Sequence, residues 1–252
     1  MAGPKKVRAD HLLVERGVAG STAEAVGLLL AGKIMASEPE RPEQKIEKPG
    51  TPLHPATHFR VLGEPRPYVS RAGQKLAGAL DHFGVDPTGW VCADFGLSTG
   101  GFTDCLLKRG AARVHGVDVA YGVVDWKLRG DPRLVLHERT NARTLPPLAF
   151  GEPVQLLVAD LSFISLTLVL PAAVAQLQAQ AELLLLVKPQ FELPPEATDG
   201  GVVRDESARQ RAIAGVTTAA AALGLVVRGG VDSSLAGADG NVEHLLHLER
   251  RT

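Results

Sequence analysis

Residues 90–108, Trp-Val-Cys-Ala-Asp-Phe-Gly-Leu-Ser-Thr-Gly-Gly-Phe-Thr-Asp-Cys-Leu-Leu-Lys, constrain the fold more than any other stretch. Val91, Cys92 and Ala93 form a short apolar run that reads as a buried strand. Asp94 stands where that strand would end, and Gly96, Gly100 and Gly101 supply a loop that can take positive φ and bring backbone close to a ligand. Thr103 or Asp104 would cap the helix that continues through Leu106 and Leu107. Strand, glycine loop and helix in this order open a doubly wound α/β domain, in which ligands bind at the carboxyl ends of the strands. The spacing is not the Gly-x-Gly-x-x-Gly of a pyrophosphate binder. An acid before a more open loop suits a ligand with hydroxyls and a positive or zwitterionic part, which S-adenosylmethionine matches better than a dinucleotide. A plain turn or another nucleotide is an equal reading of this stretch alone.

The chain beyond it alternates strand and helix. Expected strands are 91–94, 114–118, 134–137, 154–159, 183–188, 225–231 and 242–248, with helices over 165–178 and 205–223. That alternation predicts an α/β fold, a largely parallel sheet covered on both faces. The first sixty residues are different. A helix over 10–16 stops at Gly17; Ser21 and Glu24 have capping-box spacing before a helix with an apolar face at Ala25, Leu28 and Leu29. Short strands follow at 34–36 and 58–62, separated by an exposed polar loop over 37–45. This predicts a small α+β domain over 7–62, a linker over 63–67, and a second domain over 68–252. The proline- and glycine-containing segment 192–203 reads as a loop that moves or lids the site.

With 45% hydrophobic and 22% charged residues the chain has the makings of a proper core. Its net charge of −1 means that any grip on nucleic acid must come from local patches. One such patch is Arg60, Arg66, Arg71 and Lys75 against Glu64 alone; it is either a solvated surface or a phosphate-facing face. Cys92 and Cys105 have neither metal nor redox spacing and read as a reduced cytosolic pair. Neither His54 with His58 nor His244 with His247 makes a metal signature, so no metal is expected. No apolar run reaches the roughly 18 residues of a membrane span and the start does not resemble a signal peptide. These points predict a cytoplasmic protein without membrane insertion.

Polar residues recur where strands would end. Asp118 would accept hydrogen bonds from ribose hydroxyls, or else serve as a cap or surface charge. Asn141 would meet an adenine, or be a turn asparagine. Asp160 follows Val154–Ala159, and Lys188 follows five apolar residues; an amine held between desolvation and a carboxylate can be poised for proton transfer, although a lone strand-end lysine more often just reaches water. Glu243, beside Asn241, is by itself an exposed acid.

Taken together the residues resemble the TlyA family, bacterial proteins once labelled hemolysins and understood as ribosomal-RNA ribose 2′-O-methyltransferases. The resemblance runs from Arg8 to about Leu248. It is carried by residues 11–17, 48–50, 69–71 with Lys75, 98–103, 126–129 with Asp131-Pro132, 138–141, 159–165 (Ala-Asp-Leu-Ser-Phe-Ile-Ser), 186–192 (Leu-Val-Lys-Pro-Gln-Phe-Glu) and 241–243. It implies an N-terminal alpha-L RNA-binding domain and a C-terminal Rossmann-like, FtsJ-like domain using S-adenosylmethionine. It further implies a catalytic tetrad of Lys75, Asp160, Lys188 and Glu243, and cofactor contacts from Asp94, Gly96, Ser98, Thr99, Gly100, Gly101, Phe102, Asp118, Asn141 and Asp160. Arg8, Arg16, Lys33, Arg66 and Arg71 would contact RNA, the partner being ribosomal RNA or a ribosomal subunit and the target a cytidine ribose. The family usually has a small residue at Leu97 and glycine at Ala72 and Ala120, and residues 36–48 lack its Asn-Gly turn. The competing expectations are a non-catalytic RNA-binding or ribosome-assembly protein that keeps the fold, a membrane-lysing hemolysin, and a nicotinamide dehydrogenase, which the missing dinucleotide spacing disfavours.

Overall fold

The computed structural model describes residues 6–38, 42–62, 67–237 and 240–251. The chain divides between Pro65 and Arg66 into two compact units.

In the first unit, β1 (Val7–Arg8) leads into α1 (Ala9–Glu15), and Gly17 at φ +68° turns the chain away. Ser21 caps α2 (Thr22–Leu30): its hydroxyl accepts the Glu24 N–H at 3.1 Å, while the Glu24 carboxylate accepts the Gly20 N–H at 2.8 Å. Then come β2 (Ile34–Ser37), β3 (Gln44–Ile46), β4 (Pro52–Leu53) and β5 (His58–Val61). Leu12, Leu13, Leu29, Ile34 and Leu53 fill the core. The expected pair of strands is a three-stranded antiparallel sheet with β2 at its centre. Part of the expected loop is therefore strand, at Gln44 and Lys45, and Glu38 within it is buried because its carboxylate accepts the His54 N–H at 2.6 Å.

The second unit opens with α3 (Arg71–Phe83) and is built on seven strands: β6 (Val91–Phe95), β7 (Arg113–Val117), β8 (Leu134–His137), β9 (Val154–Ala159), β10 (Leu177–Val187), β11 (Leu225–Asp232) and β12 (His244–Arg251). Their order is β11-β12-β10-β9-β6-β7-β8. The five from β10 to β8 are parallel, and β12 is antiparallel to both its neighbours. The helices are α4 (Gly101–Lys108), α5 (Trp126–Arg129), α6 (Leu170–Val174), α7 (Pro189–Glu192) and α8 (Glu206–Ala222), the last capped by Asp205. Strand side chains alternate between two cores. Cys92, Leu156, Val158 and Leu184 pack under α3 and α4; Ala93, Leu157, Leu183 and Leu185 pack under α6 and α8.

Several sequence expectations are corrected here. The helix expected over 165–178 is a single-turn 3-10 helix (Leu166–Leu168) and the short α6, and β10 already begins at Leu177. Just past the end of α6 the fully buried Gln176 locks the turn into β10: its side-chain amide donates to the carbonyls of Ala172 and Pro146 and accepts the Ala149 N–H. Ser70, in extended backbone, precedes α3, and the Val69 N–H before it is taken by the Asp104 carboxylate at 2.8 Å. Neither Thr103 nor Asp104 caps α4; the cap is Gly100 at φ +94°, and both side chains sit inside the first turn with partners elsewhere.

Leu97 also has a definite place. Only 2% exposed, it turns into the core, where a Cβ on Gly116 would lie 2.7 Å from its Cδ2. Gly116→Ala should therefore overpack the site and destabilise the fold by about 1–3 kcal/mol. In urea melts, combination with Leu97→Ala should cost less than the sum of the two single changes. Strict additivity would mean that the two positions do not share this space.

Candidate active site

The site begins where β6, β7 and β9 end together. Phe95 lies beside Val117 on one side and Ala159 on the other. Gly96, at φ +85°, turns the chain over this edge and donates its N–H to the Val117 carbonyl at 2.9 Å. A Cβ there would sit 2.4 Å from the Asp160 carbonyl oxygen, so only glycine fits between the two loops. Ser98, at φ +48°, donates its N–H to Asp118 at 2.7 Å, and the other Asp118 oxygen accepts the Ala120 N–H at 2.8 Å. Asp118 thus fastens the glycine loop to the end of β7 while still lining a cavity of about 500 Å³ with Gly96, Ser98, Asn141, Ser162 and Phe163. That volume is in the range of small-molecule sites. The Asn141 side-chain oxygen Oδ1 accepts the Arg143 N–H at 3.0 Å.

Thr99, Gly101, Phe102 and Asp160 line a small recess that shares Gly96 and Ser98 with this cavity. Two of the ten expected cofactor residues lie in neither wall. Gly100 is backed by Leu128, which a Cβ would meet at 2.4 Å. Asp94 is inside the strand and not at its end, fully buried, with one oxygen accepting both the N–H (3.0 Å) and the hydroxyl (2.7 Å) of Thr103. Its other oxygen has no protein partner among the described residues. Burial pushes the Asp94 carboxyl up to about 7, opposed by the Thr103 hydroxyl and reinforced by Asp160. Asp94 therefore holds the start of α4 from beneath the loop. Burial likewise raises the Cys92 thiol to about 12, which leaves it an inert core residue.

A second cavity, about 430 Å³, lies over the ends of β9 and β10 and shares Ser162 and Phe163 with the first. Lys188 and Glu243 are both in its wall. Lys188 pairs with Asp160 at 2.6 Å and donates to the Ser162 hydroxyl at 3.0 Å. Lys75, from α3, pairs with Glu243. Both members of that pair are buried, which corrects the expectation that Glu243 is an exposed acid. Antiparallel β12 starts at the edge where β10 ends, with His244 opposite Val187, so Glu243 stands next to Lys188. The four residues thus form two opposite-charge pairs, each compensating a desolvation that neither charge would survive alone.

Phe163 was not singled out from the sequence. It is 92% exposed, holds φ +64°, lies at the junction of the two cavities, and has its ring 5.2 Å from that of Phe191. An exposed ring on a strained backbone where two largely apolar cavities meet suits stacking on a planar ring. The available signal was an aromatic set among polar residues just past a strand end.

The expected RNA contacts are dispersed. In the first unit Arg8 pairs with Asp10 at 2.6 Å, Arg16 donates to the Pro55 carbonyl at 2.5 Å, and Lys33 is half-buried just before β2. Arg71 opens α3, exposed, with its guanidinium 3.4 Å from the Ala236 carbonyl. Arg66 and the linker 63–66 lie outside the described residues. Among the described residues no group of His, Cys, Asp and Glu could hold a metal ion, and no helix is long and apolar enough to cross a membrane.

Comparison with known proteins bears on this geometry. Residues 68–250 match the model of the FtsJ-like methyltransferase family. A 16S/23S rRNA (cytidine-2′-O)-methyltransferase, TlyA of Mycobacterium tuberculosis, is 45% identical over 250 residues, covering 98% of this chain and 91% of that one. Hemolysin A of Brachyspira hyodysenteriae is 32% identical, covering 96% and 99%. A solved structure from Streptococcus thermophilus, assigned as a hemolysin, is 36% identical with a TM-score of 0.74, covering 98% and 89%.

The raised Asp94 carboxyl has a stability consequence. Between about pH 4, where the unfolded acid ionises, and about 7, where the folded one does, the folded state binds the extra proton. This group's contribution therefore falls as pH rises through that window. Asp94→Asn should gain stability relative to wild type at pH 8 compared with pH 4, measured by denaturant unfolding at both. A pH-independent difference would contradict the assignment.

Proposed function

The chain belongs to the FtsJ-like methyltransferase family, and we propose that it uses S-adenosylmethionine to methylate a ribose 2′-hydroxyl, at a cytidine, in ribosomal RNA. The observation that carries this reading is the pair of adjoining cavities, one over the glycine loop and one walled by Lys188 and Glu243, meeting at Ser162 and Phe163. The relatives' rRNA cytidine activity supports the choice of acceptor.

The first cavity fits the methyl donor. Gly96 lines this cavity with bare backbone just past β6. Asp118 retains free lone pairs after its two backbone bonds and can accept from ribose hydroxyls. Asn141, in the same wall, can meet an adenine edge. When bound, S-adenosylmethionine supplies an electrophilic methyl group on a sulfonium. Asp160, which lines the recess beside the glycine loop and pairs with Lys188, would offer a carboxylate to that positive charge.

The acceptor side is the work of the two pairs. Lys188 steers the 2′-hydroxyl, or takes its proton at Nζ after the ammonium has released one to solvent, with Asp160 and Ser162 directing it. Glu243 and Lys75 hold the hydroxyl and balance the local charge. Phe163 stacks on the acceptor base, and much of the acceleration comes from in-line placement of hydroxyl and methyl group. Residues 7–62 act as an alpha-L RNA-binding domain, joined through 63–67 to the methyltransferase domain over 68–252, with Arg8, Arg16, Lys33, Arg66 and Arg71 on phosphates. An rRNA substrate sets the work in the cytoplasm.

Incubation of the purified protein with radiolabelled S-adenosylmethionine and ribosomal subunits or free rRNA should give RNA-bound label. Lys188→Ala should lower transfer by about 10²–10⁴-fold with cofactor affinity retained in a calorimetric titration. Undiminished transfer by that variant would refute the role given to Lys188, and no transfer by wild type that binds the cofactor would refute the reading as a whole.

A further inference from the structure

Two loops carry the reactive groups of the site, and one carboxylate ties them together without touching either cavity. The loop after β9 runs from Asp160 to Ser165, and the segment after β10 runs from Lys188 to Glu192. They meet first at Lys188, which binds Asp160 at 2.6 Å and Ser162 at 3.0 Å. They meet again at Glu192, the last residue of α7. One Glu192 oxygen accepts the Ser165 hydroxyl at 2.5 Å and the other accepts the Leu166 N–H at 2.8 Å. Ser165 in turn caps the 3-10 turn by accepting the Thr167 N–H at 3.1 Å. The loop is therefore pinned at both ends, and Phe163 stands between the pins.

The strain lies in the same place. Phe163 holds φ +64° with a ring 92% exposed, a backbone conformation that an L residue keeps only when its surroundings over-determine it. The ring's own neighbour, Phe191, belongs to the segment that Glu192 terminates. Burial pushes the Glu192 carboxyl above the usual carboxylate range, and its two hydrogen bonds oppose that shift. Glu192 thus bears a desolvation cost although it forms part of neither cavity wall.

We propose that Glu192 is a positioning residue for methyl transfer: by joining the loop after β9 to the segment after β10, it holds Phe163 and Lys188 in register over the acceptor nucleotide. This rests on the rRNA-methylation reading, and it adds to that reading a residue that acts only through others.

The test uses the full chain in three variants, Glu192→Ala, Glu192→Gln and Ser165→Ala. It measures kcat and KM for rRNA, S-adenosylmethionine affinity by calorimetry, and amide hydrogen exchange. Glu192→Ala should lower kcat by about tenfold or more, as misplacement of a reacting group does. Its cofactor affinity should stay unchanged, and exchange should quicken over residues 162–167 while the β-sheet stays protected. Ser165→Ala, which removes one of the two bonds, should fall between it and wild type. Glu192→Gln can accept from Leu166 and donate to Ser165, and should recover most of the rate. A wild-type kcat in Glu192→Ala would overturn the proposal. So would a loss accompanied by lost cofactor binding and sheet-wide exchange, which is the mark of a folding role alone. If wild type itself transfers nothing to rRNA, the substrate reading fails, and the tie is decided by exchange: unchanged protection over 162–167 in Glu192→Ala would refute it, and loosening confined there would sustain it.

Discussion

The site depends on the register of one sheet. Phe95 on β6 is level with Ala159 on β9, and Ala159 is level with Leu185 on β10, so the residues that follow emerge along one edge. Gly96 and Asp160 come out side by side, and Lys188 three residues past Leu185. The antiparallel β12 completes the edge from the other direction, because its first residues are level with the last of β10. A slip of one residue in any of these ladders would send every strand side chain to the opposite face. The apolar alternation that fills the two cores therefore also places the polar chemistry.

Charge is handled at that edge in pairs. Lys75 with Glu243 and Lys188 with Asp160 are each neutral as a unit, and neither pair is freely solvated. A buried pair is weak evidence for stability, since its attraction roughly offsets desolvation, but removing one member leaves an uncompensated charge. Such an arrangement suits a site where a cationic donor and an ionising hydroxyl must be held at once. Asp94 differs: its partners are the groups of Thr103, and it braces the helix start under the glycine loop.

Much of this was legible in the sequence. The apolar runs over 91–94, 134–137 and 154–159 gave their strands to within a residue, and the polar residues that end β9 and β10 stand where strand-end reasoning put them. Ser21 caps its helix as the capping-box spacing predicts, because a side-chain oxygen with a free N–H three residues on is a local matter. What was hidden depended on distant partners. Glu243 is buried only because α3 brings Lys75 to it, across a sequence separation that no local pattern reports. Residues 165–178 carry a helical pattern, but the chain turns into β10 at Leu177, where the buried Gln176 side chain is held by Pro146 and Ala149 on a distant segment. The direction of Leu97 was set by the space over Gly116, on another strand. Phe163 left a composition signal but no sign of its φ, which the loops on either side impose.

The central claim is that this edge of the sheet delivers a methyl group to a ribose oxygen and not to a base. The most direct measurement is the position of the methyl group in rRNA treated with the purified protein. After alkaline hydrolysis, a 2′-O-methylated ribose protects the adjoining phosphodiester, so the label should appear in an alkali-resistant dinucleotide whose 5′ residue is a methylated cytidine. Label released in a mononucleotide, with the methyl group on the base, would contradict the account.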